Sequence, residues 1–141
     1  MKKASWILLT ILGAVIVLAG LLSSRNAYGN VGYRIGPVSV RELAGGRPEV
    51  ESALRGTRGT AAAYAVAYGV LFLSIVLGPY RRGETWAWWA LLAGALALLA
   101  IAALRIPTLG TSLGLAAPLT MGGVVLVGLL LDVGRLGRRA A

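Results

Sequence analysis

The chain has 141 residues, 57% hydrophobic and 13% charged, with 14 Lys and Arg against 5 Asp and Glu for a formal charge of +9. Typical soluble domains carry roughly 25% charged residues; here a mean hydropathy of +0.78 and long uncharged apolar runs point to a membrane-embedded chain. No Cys and no His occur, which excludes disulfides, thiol redox chemistry, thiolate or imidazole metal sites and His-ligated haem, and removes the usual general base near neutral pH.

A helix needs about 20 residues to cross a hydrocarbon core of about 30 Å. Charge-free runs of that length cover 4–24, 59–80, 85–104 and 106–131, and none alternates with the period of a barrel strand. The expected fold is an all-α membrane protein in one domain. Four transmembrane helices form a bundle, at about 5–23, 59–79, 85–104 and 111–132, with one extramembrane loop of about 35 residues, 24–58, between the first two. The first run, MKKASWILLTILGAVIVLAGLLSS, has the basic start and apolar centre of a secretory signal. Its apolar part, 6–22, exceeds a usual signal core and its end lacks a clear small-x-small cleavage pattern, so a retained helix is expected.

In the loop, NVGYRIGPVSV alternates Val31, Tyr33 and Ile35, turns at Gly36-Pro37 and resumes at Val38 and Val40, which predicts a small hairpin. RPEVESALRG then predicts a short helix beginning at Pro48, with Glu49 and Glu51 in its first turn and Gly56 at its stop.

Lipid gives helices no hydrophobic reason to associate, so small residues in rows mark the expected contacts. The second span offers Ala61, Ala65 and Gly69, and the third Ala90 with Gly94 and Ala93 with Ala97. The fourth offers Gly110, Gly114 and Gly122, with Pro118 predicted to kink that helix. Tyr64 and Tyr68 share a helix face by their i, i+4 spacing. They are read first as rings of the interfacial belt packing against other helices and, in the alternative, with Ser74 and Thr120, as the lining of a polar cavity.

Between the second and third spans the chain reads PYRRGETWAWWALL. Pro79 and Gly83 predict a break between helices, with Glu84 at the positive start of the third helix and Thr85 as its cap. Arg81, Arg82, Trp86, Trp88 and Trp89 are read as anchors at the membrane surface, Trp86 and Trp89 on one face and Trp88 roughly across from them.

With both ends inside, the inner segments hold Lys2, Lys3, Arg81, Arg82, Arg135, Arg138 and Arg139, and the outer ones Arg25, Arg34, Arg41, Arg47, Arg55, Arg58 and Arg105. The totals tie, but charges near the ends of helices one, three and four favour cytoplasmic termini.

LRGTRGTAAAYAVAYGVLFLSIVLGPYRRGETWAWWALL, at 54–92, resembles a broad group of small four-helix membrane proteins of bacteria and archaea, loosely DoxX-like. That resemblance implies a four-helix bundle; it supplies no catalytic residues.

No ionisable residue falls at mid-membrane, and Asp132 closes the last run, where it can reach water or Arg135. The loop acids Glu42, Glu49 and Glu51 stand among six arginines, and neither a Ser-His-Asp set nor a glycine-rich phosphate loop occurs. The expectation is a multi-pass protein of the cell membrane, non-enzymatic and without a cofactor. Its partners are the lipid bilayer and a second copy or another membrane protein, not nucleic acid. The alternative is a small solute or lipid transporter working as an oligomer. A third reading places headgroup chemistry at Glu49 or Glu51.

Overall fold

A computed structural model describes residues 2–29, 34–112, 114–134 and 136. In chain order it comprises α1 (Lys2–Tyr28), β1 (Arg34–Ile35), β2 (Val38–Ser39), α2 (Val40–Leu43), α3 (Pro48–Ile75), a π-helical turn (Val76–Tyr80), α4 (Thr85–Ala103), α5 (Arg105–Leu109) and α6 (Ala116–Leu130). The chain is thus mostly helical. Three helical stretches, Lys3–Tyr28, Pro48–Tyr80 and Thr85–Leu109, are long and apolar enough to cross a membrane, while Ala116–Leu130 is shorter.

The hairpin forms at the predicted turn: β1 and β2 pair antiparallel, Arg34 opposite Ser39 and Ile35 opposite Val38, with Gly36 at φ 61°. Val31 and Tyr33 lie outside the described residues. The long loop is shorter than expected, because α1 continues to Tyr28 and α3 begins at Pro48. Gly56 does not stop a helix there. A glycine in a helix interior costs only about 1 kcal/mol, Gly56 lacks the left-handed backbone of a helix stop, and the Glu51–Arg55 pair at 2.8 Å spans that turn.

At the next boundary Pro79 lies inside the π-helical turn rather than at a break. Its missing N–H and bulky ring disfavour α-geometry, and the wider π-turn accommodates both. The helix ends only at Gly83, φ 93°, where the Glu84 amide donates to the Pro79 carbonyl at 3.0 Å. Glu84 rather than Thr85 caps α4, through its extended backbone and without a side-chain capping bond to a backbone amide.

The fourth run is the largest departure. It is not one helix over 111–132: Gly110 and Gly114 take left-handed backbones, φ 62° and 79°, and α6 begins only at Ala116. Pro118 consequently falls in the first turn, where no amide hydrogen bond is lost, and it makes no kink. Fifteen residues give α6 a length of about 22 Å.

By their contacts the residues divide into two compact units, 1–13 with 71–141 and 14–70. In the first, α4 and α6 run antiparallel. Trp88, Leu91 and Ala95 on α4 and Gly122, Val125 and Leu129 on α6 are buried at three- and four-residue steps, the spacing of interlocking helices. Gly122 receives Leu99, Gly128 receives Leu9 of α1, and Gly13 receives Leu73. In the second, the later half of α1 packs antiparallel to α3. Gly69 abuts Ile16 and Val17, Gly20 abuts Ala62 and Val66, and Gly59 lies under the Tyr28 ring.

The small-residue rows are therefore offset from prediction. Of Ala61, Ala65 and Gly69, the glycine is at the helix contact, Ala65 is half-buried and Ala61 exposed; the working position beside them is the buried Ala62. Gly122 packs, whereas Gly110 and Gly114 belong to the link before α6.

Candidate functional site

Among the described residues, three places stand out for their polar groups or a cavity. The first lies at one end of the unit 1–13 with 71–141. Ser5 and Tyr80, both fully buried, are 2.6 Å apart through their hydroxyl oxygens, and Ser5 donates to the Gly128 carbonyl at 2.6 Å. Nearby, the Trp88 indole N–H donates to the Leu129 carbonyl at 3.1 Å. Both carbonyls belong to the last turn of α6, where the regular i+4 donors run out; that of Leu129 also accepts from the Asp132 amide at 3.1 Å. These side chains therefore tie α1, the π-helical turn and α4 to the end of α6.

Arg81 sits over the Trp6 ring, 5.0 Å from its centroid, a cation–π arrangement. Arg82 pairs with Glu84 at 2.9 Å, and the other carboxylate oxygen accepts from Trp86 at 2.6 Å. Trp86 and Trp89 are each 55% exposed and Trp88 only 7%, so the expected division of faces is present. Trp88 nevertheless differs from the anchor role expected of it: it is packed inside the protein, edge-on to Trp89 at 4.9 Å. Asp132 also departs from expectation. It is buried rather than reaching water, and Arg135, like Arg138 and Arg139, lies outside the described residues.

A second place is a cleft of about 490 Å³ in the unit 14–70, lined by Tyr28, Pro48, Glu51, Ser52 and Arg55 among others. Arg55 is held there by Glu51 and by the Gly29 carbonyl, 3.2 Å from its Nη1, while Arg58 donates to Ser23 at 3.1 Å. These bonds fasten the start of α3 to the end of α1. Glu49 is exposed and outside the cleft. Glu42 serves the capping box of α2 with Ser39; the Ser39 amide and then its hydroxyl, with Arg34 adding a smaller attraction, hold its carboxyl below the ordinary range.

The third place is a cleft of about 380 Å³ beside the link between α5 and α6, where Leu98, Ile101, Ala102, Leu115 and Pro118 surround Arg105 and Gly114. Its lining is apolar apart from the guanidinium.

The proposed cavity set does not converge. Tyr64 is 73% exposed, and Tyr68, Ser74 and Thr120 are exposed too. Thr120 returns its hydroxyl to the Ala116 carbonyl at 2.8 Å, and none of the four lines either cleft described above. Sequence reasoning missed the Ser5–Tyr80 contact. Its one signal was a hydroxyl at each of two span ends, with nothing to say that those ends meet. Comparison of the chain with protein-family models, with curated proteins and with solved structures finds no match.

Proposed function

We propose that this chain is a non-enzymatic, multi-pass protein of the cell membrane, working through lipid or protein contacts as an accessory or envelope component. The observation that carries this reading is the outward face of every long helix. Ile11, Leu18, Leu71 and Ile101 are exposed along the three long apolar stretches, a surface that only lipid or another apolar protein face would cover. Ser5, Tyr80, Trp88, Arg55 and Arg58 are spent on joining helical segments to one another.

In this reading α6 makes the fourth crossing. Its length of about 22 Å falls short of a core of about 30 Å, and the link 110–115 and the turn after Leu130 carry the chain over the remainder. The turn at Gly83 then faces the cytoplasm with both termini, and the 34–39 hairpin faces outside. The membrane-component reading is preferred to the oligomeric transporter alternative, because the four residues named for a cavity are exposed and line neither of the clefts described above.

Native mass spectrometry on the protein extracted from its own membranes in a mild detergent tests the proposal. The expected result is a mass above the monomer, carrying lipid or a protein partner. A bare monomer would contradict it.

A further inference from the structure

The cleft at Arg105 has the make-up of a lipid site. Arg105 is the one charged side chain between Glu84 and Asp132. It is exposed, its stem lies along the apolar wall, and its guanidinium sits by the link: a methyl group on Gly114 would stand 2.5 Å from its Nη1. Gly114 is fixed by its left-handed backbone, and its missing side chain leaves room for the arginine head beside the link. The late start of α6 leaves Leu98, Ile101 and Ala102 of α4 without helix cover at this level, and they form the apolar wall of the cleft. Ligand sites commonly combine such an apolar trough with one or two polar groups that fix orientation.

We infer that this cleft holds one phospholipid with a net negative headgroup, its phosphate on Arg105 and an acyl chain along Leu98 and Ile101. The guanidinium presents paired donors that match two phosphate oxygens. A headgroup that carries its own cation, as choline does, offsets that attraction, so anionic lipids are favoured. Basic pockets between membrane helices take anionic headgroups by the same physics. The inference rests on the membrane reading above and names the lipid class that one of its contacts selects.

Purified protein in detergent, titrated with phosphatidylglycerol or phosphatidylcholine and followed by native mass spectrometry, tests this. The wild type is expected to keep one phosphatidylglycerol in preference to phosphatidylcholine. Arg105→Gln should weaken that retention about tenfold, the loss of one charge-assisted contact of about 1.4 kcal/mol. Ile101→Trp, at an exposed position, should crowd the trough and weaken it with the charge intact. Equal retention by wild type and R105Q would overturn the proposal, as would equal retention of the two lipids. Displacement of the lipid by millimolar inorganic phosphate would also overturn it, by showing a simple anion site. A chain that stays in solution without detergent fails at the earlier step and overturns the membrane reading itself.

Discussion

The α1–α3 pair within 14–70 and the α4–α6 end of the other unit bring helices together by different means. In the first, glycine removes side chains so that backbones meet: a methyl group on Gly69 would be 3.1 Å from the Val17 amide nitrogen, and one on Gly20 equally far from that of Val66. In the second, Ser5 and Trp88 reach the carbonyls of Gly128 and Leu129. Close approach sets the middle of the first contact, with the Arg55 and Arg58 bonds only at its end. At the second, buried hydrogen bonds add to the packing of Leu9 and Leu99, and the two should respond differently to substitution.

The largest expected effect is at the glycine contact. Gly69→Leu forces a side chain into Val17 and should destabilise the protein by about 1–3 kcal/mol, read as a shifted unfolding midpoint in detergent micelles. Ala61→Leu, at the exposed position of the predicted row, should move it by less than about 0.5 kcal/mol. Equal effects would mean that the predicted row, not the observed one, is the contact.

Smaller losses are expected at the polar end. Ser5→Ala and Trp88→Phe should each cost about 1 kcal/mol, the net worth of a typical hydrogen bond. Trp86→Phe and Trp89→Phe, at exposed rings, should leave the midpoint nearly unchanged while altering the tryptophan emission. That contrast separates the buried indole from its two neighbours.

The smallest effect is confined to α2. Because the Glu42 carboxyl titrates below its ordinary range when folded, the capping-box contribution is present above the unfolded pKa. It is lost as pH falls through the folded one. Ser39→Ala should raise the Glu42 pKa toward the ordinary carboxylate range, as followed by carboxyl-carbon NMR, without changing global stability.

The sequence showed what local physics determines. The apolar runs, the Gly36-Pro37 turn and the opposed faces of Trp86 and Trp88 follow from run length, turn chemistry and helical spacing. Tertiary choices were hidden. Ala62 rather than Ala61 meets the neighbouring helix, because the choice of inward face depends on a partner that periodicity does not identify. Nor did the uncharged stretch 106–131 reveal its break: hydropathy treats Gly110 and Gly114 as apolar filler, whereas their backbones turn the chain. The Arg105 cleft follows from that break.

Labelling of single cysteines in sealed vesicles tests the central claim most directly, since the chain has no cysteine of its own. Pro37→Cys stands at the hairpin, Arg82→Cys beside the Gly83 turn, and Leu71→Cys on an outward face of α3. A membrane-impermeant maleimide is expected to reach positions 37 and 82 from opposite sides of the bilayer. Position 71, although exposed on the protein itself, should stay unlabelled under its lipid cover. Labelling of 37 and 82 from the same side, or ready labelling of 71, would contradict a chain that crosses the membrane along α3.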